Sequence, residues 1–559
     1  MTTDASNQAL ETVLSVALPG EPDRKKVPTM GPVRTNLEAF GVAILAAVLL
    51  KWFCIEAYQI PTSSMQPTLM GDTSAGVYDR ILVDKISATV REPKRWDITV
   101  FKYPLQKNQN YVKRIVGMPG DHLHIAGGNL YQVTEKDGIR TYETLRKPDD
   151  LQEQMWKEVY PARRLVLAES KALGLSWAGS PGSAFSEDDT GFLVDMGSGN
   201  TRKLYFRDEA NGGFIDLYWD GYPTATAAAI RDKGIPPAAE IVPDARLEAT
   251  ITPDEAIDEL SFQIEVRRPG LAKLTYALTI KAGKGRLQVI TNDAKVEGES
   301  PEFAVEMPAK AASRLGFAHI DDQLIATLAG EEIARFDASK WACRDGCVLA
   351  TPNKATPDHA VTPQLVTKGK GKVRVDDVRL CRDLHYTRDK SPEIIHVPEG
   401  HYYMMGDNTL GSIDSRGWTC VTVYEKDGKV VPKDTPGARA IRGNKRPMPL
   451  GRSPDRDETP IAIPKENAIV MIDEFGQLLR LEGQPGANWG EAGVVFKKPD
   501  AQDGTGEWTA EDTEAGATLG VSFVPRSDIQ GRALLVFYPC RPFSWLTRSN
   551  WPNRFGFVR

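Results

Sequence analysis

The stretch Leu260-Ser-Phe-Gln-Ile-Glu-Val-Arg-Arg-Pro-Gly270-Leu-Ala-Lys-Leu-Thr-Tyr-Ala-Leu-Thr-Ile280 sets apolar residues at alternate positions on both sides of one break. Leu260, Phe262, Ile264 and Val266 share one face of the first arm, and Leu274, Tyr276, Leu278 and Ile280 share one face of the second. Side chains of a strand alternate between faces, so this period of two reads as antiparallel strands with one buried face, joined at Arg268-Pro-Gly270. Leu324, Ala326 and Leu328 repeat the pattern further on. From about 185 to 388 the chain therefore reads as a β-sandwich, and the fold class as mainly β.

The 559 residues around this stretch predict about three or four structural units. A hydrophobic share of 41% and a charged share of 26% are ordinary globular values, which excludes wholesale disorder and a polytopic membrane protein. The net charge of −6 gives no electrostatic footing for nucleic acid, and none is expected as a partner. Cys54, Cys343, Cys347, Cys381, Cys420 and Cys540 are too few and too scattered for a disulfide scaffold. Cys343 and Cys347 bracket Arg344-Asp345-Gly346 and are either a local disulfide or two free thiols. Zinc would need two more ligands nearby.

One long apolar run, Ala39 to Leu50, is followed by Lys51 and Trp52-Phe53-Cys54-Ile55. It is short for the roughly 20 residues a span needs. Lys51, however, stands at its end, where the stem can stay in lipid while the ammonium reaches the interface beside Trp52. Leu37 to about Ala57 is therefore read as one transmembrane helix. A cleaved signal peptide is disfavoured by the long polar lead-in 1–36 and by the lack of a small-x-small pattern after Ile55. Arg24, Lys25, Lys26 and Arg34 place the N-terminus in the cytoplasm and all that follows the helix outside.

Three polar segments carry the chemistry. Tyr58-Gln-Ile-Pro61-Thr62-Ser63-Ser64-Met65-Gln66-Pro67-Thr68-Leu69 is a hydroxyl-rich turn held between two prolines. Arg95-Trp-Asp97-Ile-Thr-Val-Phe-Lys-Tyr-Pro104 and Tyr111-Val-Lys113-Arg114-Ile-Val-Gly-Met-Pro-Gly-Asp121 read as strands ended by a Gly-x-Pro-Gly-Asp turn. Lys113 stands there among apolar neighbours, and burying a lysine disfavours its charged form, which is how an amine becomes a base near neutral pH. The third segment, Gly406-Asp407-Asn408-Thr-Leu-Gly411-Ser412-Ile-Asp414-Ser-Arg416, is a polar loop rich in donors and acceptors.

Together these segments resemble the type I signal peptidases, membrane-bound Ser-Lys endopeptidases that remove signal peptides from exported proteins. The serine turn looks like the family's nucleophile box, Lys113-Arg114-x-x-Gly-x-Pro-Gly-Asp121 like its lysine box, and Gly406 to Arg416 like its third box, in the family's order. Gly531-Arg-Ala-Leu-Leu-Val-Phe-Tyr-Pro539 and the segment 553–559 look like its last strands. The resemblance implies a β-fold catalytic core on the outer side of the cytoplasmic membrane, with Ser64 as nucleophile and Lys113 as general base. Ser412 would orient Lys113 by a hydrogen bond, and the Thr62 hydroxyl with the Ser64 N–H would form the oxyanion hole. Thr62 departs from the Ser or Gly of many relatives. Asp407, Asp414 and Arg416 look like supporting salt-bridge residues.

The substrates implied are secretory preproteins with small residues at P1 and P3, the other partners membrane lipid and export machinery, and no metal or organic cofactor is called for. His122 and His124 follow the lysine box, but the base position itself holds Lys113. A Ser-x-x-Lys pattern fails at Pro67, and Lys368-Gly-Lys-Gly-Lys372 lacks the P-loop frame and reads as a solvated turn.

The core of the resemblance is 58–124, 393–420 and 520–559, interrupted by insertions at 125–392 and 421–519. The first holds the sandwich, which looks like a concanavalin- or laminin-G-like jelly roll and would serve as a spacer or bind a glycan or protein ligand. The second is rich in Pro, Gly and charge and reads as partly irregular, with Ala468-Ile-Val-Met-Ile472 as a short strand. The rival reading is a membrane-tethered binding or scaffold protein whose sandwich works and whose peptidase core is inactive.

Overall fold

The structure is a computed structural model that describes residues 32–66, 68–72, 77–104, 106–160, 174–182, 184–188, 190–208, 215–216, 240–292, 295–341, 360–388, 393–416, 418, 421–432, 435–443, 461–473, 477–483, 494–496, 523–538 and 556–558. Cys343 and Cys347 lie outside the described residues. The chain divides into two units, Met1–Ile55 and Glu56–Arg559.

In the first unit an α-helix, Pro32–Leu49, runs on into a π-helical turn, Leu50–Cys54. The stretch Asn36–Cys54, 19 residues with mean hydropathy 1.9, is long and apolar enough to cross a membrane. The helix stops at Cys54, three residues before the expected end at Ala57. Ile55 already has extended backbone (φ −139°, ψ 134°), and Ile55–Gln59 is a strand in which Glu56 and Tyr58 are half-buried and their neighbours exposed. The apolar run thus continues past Lys51 with a period of two, and Lys85 Nζ pairs with Glu56 at 3.3 Å.

The second unit is built on an eight-stranded sheet drawn from distant parts of the chain. Its order is Ile55–Gln59, Arg80–Asp84, Ile529–Tyr538, Ile98–Tyr103, Gln106–Gly117, His401–Met405 and Val524–Pro525, with Gly556–Phe557 paired to Ile529–Tyr538. The late strand Ile529–Tyr538 therefore lies between two strands formed more than 400 residues earlier in the chain. Its buried residues Ala533 and Val536, on either side of a register shift, join Ile81, Val83, Ile98 and Val100 in one core cluster.

The first insertion is a β-sandwich, as expected. Leu260, Phe262, Ile264 and Val266 stand opposite Ile280, Leu278, Tyr276 and Leu274, all buried, and Gly270 (φ 71°) makes the turn between the strands. The 23-residue strand Ala360–Arg382 pairs with Ile257–Arg267 along its first half and with Ala245–Pro253 along its second. The run 368–372 is therefore a bend inside this strand, where it changes partner, and not a turn between elements. Gly371 sits at φ 73°, backbone that favours glycine, while Lys368, Lys370 and Lys372 face solvent. The sandwich starts before 185, because Lys157–Tyr160 and Leu175–Gly179 belong to its sheet.

The described residues of the second insertion include one sheet. Arg439–Gly443, Val421–Lys426, Lys429–Val430, Leu478–Glu482, Ala468–Ile472 and Ile461–Ile463 form a sheet over a core of Val423, Ile441, Ile469, Met471 and Leu481. The expected strand Ala468–Ile472 is one of its members.

Candidate active site

Ser64 occupies the middle of one 3₁₀ turn, Ser63–Met65, entered from extended Thr62 (φ −122°, ψ 156°) and left by extended Gln66. Met65, 1% exposed, anchors the turn in the core with Ile60, Leu69 and Ile81. Burying the methionine fixes the turn that carries Ser64.

Lys113 and Arg114 are adjacent on Gln106–Gly117, so they leave opposite faces of the strand. Arg114 Nε and Nη2 grip Asp407 Oδ1 and Oδ2 at 2.8 and 2.6 Å, and Nη1 donates to the Trp96 carbonyl at 2.8 Å. Lys113, 3% exposed, ends 2.5 Å from Ser64 Oγ, in hydrogen-bond contact.

Two buried carboxylates stand near this amine, and each is engaged elsewhere. Asp414 takes Arg416 Nε and Nη2 at 2.8 Å each and the Gly406 N–H at 3.0 Å. Asp407 takes Arg114 and the Thr68 hydroxyl, the latter at 2.5 Å. Among the described residues Lys113 has no carboxylate within ion-pair distance. Burial therefore dominates its protonation and brings its pKa down to about 8, with Arg416 acting in the same sense and Asp414 and Asp407 opposing it.

The third segment closes over the serine turn. The Asn408 N–H donates to the Ser64 carbonyl at 3.2 Å, and Asn408 Nδ2 donates to the Ser63 carbonyl at 3.1 Å. Gly406 permits this approach, since a Cβ there would collide with both the Ser64 carbonyl and the Ser412 hydroxyl. The Ser412 hydroxyl is buried against Gly406 and makes no hydrogen bond, so the expected bond to Lys113 is not formed. Thr62 is exposed, with Oγ1 3.4 Å from Ser64 Oγ. His124 bonds the Glu393 carbonyl at 2.9 Å and His122 stacks edge-on against His396, so both belong to the neighbouring sheet. Thr68 and Asn408 were not singled out by sequence reasoning, although both lie inside the recognised boxes.

The signal peptidase, peptidase S26, family model matches residues 33–164 and 351–433, which include the serine turn, the lysine strand and the third segment. Over these segments the chain is similar to the type I signal peptidases. It is 38% identical over 111 residues to signal peptidase I of Buchnera aphidicola, covering 16% of this chain and 33% of that protein. The probable signal peptidase I-2 of Synechocystis is 38% identical over 94 residues, covering 16% and 40%. Signal peptidase I of Rickettsia prowazekii is 25% identical over 211 residues, covering 34% and 79%. This chain thus spans well under half the length of the first two relatives. In structure, a Bacillus subtilis protein with a galectin-like fold aligns over 41% of this chain and 100% of its own, at 11% identity and a TM-score of 0.24.

Proposed function

We propose that the protein is a membrane-anchored serine endopeptidase that removes signal peptides from exported preproteins by a Ser64–Lys113 dyad. The observation that carries this reading is the 2.5 Å contact between Lys113 Nζ and Ser64 Oγ, at an amine that burial keeps well below the ordinary lysine range. A pKa of about 8 in place of 10.5 raises the free amine available at neutral pH by about 300-fold.

In the first half-reaction the free amine of Lys113 takes the Ser64 proton as Oγ bonds the scissile carbonyl carbon. The oxyanion accepts hydrogen bonds from the Ser64 N–H and the Thr62 hydroxyl. The Lys113 ammonium then returns the proton to the departing amine as the C–N bond breaks, leaving an acyl ester on Ser64. A water deprotonated by Lys113 hydrolyses that ester and restores both side chains. Ser412 lies against the serine turn and supports the Lys113 amine once substrate fills the site. The helix Asn36–Cys54 anchors the chain, with the N-terminus cytoplasmic and the catalytic unit on the outer face, where lipid and export machinery present the precursor.

The test is processing of an exported precursor by full-length protein in detergent. Ser64→Ala and Lys113→Met should each lower the cleavage rate by about 10³-fold or more while the fold is kept. Retained cleavage by either folded variant contradicts the dyad. The intact contact between nucleophile and base argues against an inert core serving only as a scaffold.

A further inference from the structure

The sandwich is joined to the peptidase fold by two short stalks, 147–160 and 382–388, and both touch the catalytic loop. In the first stalk, helix Asp149–Met155 buries Leu151 and Met155 in the same cluster as Tyr403 and Met405, the residues that lead into Gly406. The strand Lys157–Tyr160 then pairs with the sandwich, Lys157 opposite Arg382 and Glu158 opposite Cys381. From the second stalk, the His385 carbonyl accepts the Thr409 hydroxyl at 2.6 Å, and the Thr387 hydroxyl accepts Arg416 Nη1 at 2.7 Å. The catalytic loop is thus held from the insertion as well as from its own sheet.

Lys157 makes the contact nearest the nucleophile. It is 4% exposed, and its Nζ donates to the Asp407 carbonyl at 3.3 Å. That carbonyl belongs to the same peptide plane as the Asn408 N–H, which donates to the Ser64 carbonyl at 3.2 Å. A line of hydrogen bonds therefore runs from the Lys157 amine through the 407–408 peptide to the backbone of Ser64. A donor at one end of such a line polarises the peptide and strengthens donation at the other, and rotating the plane would lose both bonds.

We propose that Lys157 is a positioning residue for the peptidase reaction, by which the inserted sandwich fixes the 407–408 peptide and hence the Ser64 turn. This rests on the peptidase reading above. It goes further in making the sandwich part of the catalytic apparatus and not a passive spacer.

The experiment measures kcat and KM of full-length wild type, Lys157→Met, Lys157→Gln and Lys157→Arg on a precursor-derived peptide, with thermal melting of each. Misplacing a reacting group by about 1 Å can cost 10²-fold. Lys157→Met is expected to lose about ten- to a hundredfold in kcat with KM within about twofold, and Lys157→Arg, which keeps a long N–H donor, to recover most of the loss. Wild-type turnover in a folded Lys157→Met, or a loss confined to KM, would overturn the proposal. If Lys157→Met does not fold, the comparison passes to the other two. Lys157→Gln slower than Lys157→Arg supports the proposal, and equal rates overturn it. Failure of the wild type itself to cleave would overturn the peptidase reading, and this inference with it.

Discussion

Two lysines lie equally deep in this molecule and are driven in opposite directions. The Lys113 and Lys147 side chains are both almost wholly buried. Burial lowers the pKa of each. For Lys113 nothing in contact offsets it, and the pKa falls to about 8. For Lys147 the carboxylates of Asp321 and Asp383, 2.7 and 2.8 Å from Nζ, outweigh burial and hold the ammonium above the ordinary lysine range. The difference lies in where the arginines are. Arg114 and Arg416 occupy the carboxylates near Lys113, whereas the aspartates around Lys147 are left for Lys147 to neutralise. Depth alone therefore does not make a base; depth with the neighbouring charges already satisfied does.

The comparison breaks most visibly in stability. Removing Lys147 leaves Asp321 and Asp383 buried without their cation, so Lys147→Met should destabilise full-length protein by about 3–5 kcal/mol, with the surviving folded fraction still cleaving at its normal rate. Lys113→Met should do the reverse, abolishing cleavage while leaving thermal stability unchanged or raised, because it removes a buried amine that no carboxylate pairs. Chemical unfolding and a cleavage assay on the same two preparations check both halves. A fall in stability for Lys113→Met as large as that for Lys147→Met would erase the distinction.

A smaller effect sharpens the Lys147 side. Asp321 is pushed up to about 6, chiefly by burial, with Asp383 and Asp244 adding to it against Lys147. Its folded pKa lies above the unfolded value, so between about pH 4 and 6 unfolding releases a proton and stability falls as pH rises. Measured against Asp321→Asn, wild-type stability should decline by about 3 kcal/mol across that window and run parallel outside it. Denaturant midpoints at pH 4, 5, 6 and 7 test this, and parallel curves throughout would mean that the cluster holds no proton.

Much of this was legible in the sequence because it is local. The strands around Gly270 announce themselves by period-two alternation, and Ser64 and Lys113 lie in short boxes whose residues need only their near neighbours to be recognised. The end of the helix is blurred in the sequence because Ile55 and Tyr58 continue an apolar run whose change of period appears only over five residues. The bend at Gly371 looked like a turn because its lysines are solvated, although the backbone on both sides remains paired. Lys147 and Lys157 carried no signal. Their partners Asp321, Asp383 and Asp407 lie 174, 236 and 250 residues away, and only the packing of the insertion against the core brings them together. Ser412 shows the converse case, a residue recognised by its box whose expected hydrogen bond is not made.

The most direct test of the central claim, that Lys113 is the working base, is the pH dependence of kcat/KM for a precursor-derived peptide with full-length protein. A base must be unprotonated to act, so activity should rise with pH along a single limb with its midpoint near 8, the value burial imposes on Lys113. A midpoint near that of a solvated lysine, or a profile flat from pH 6 to 10, would contradict it.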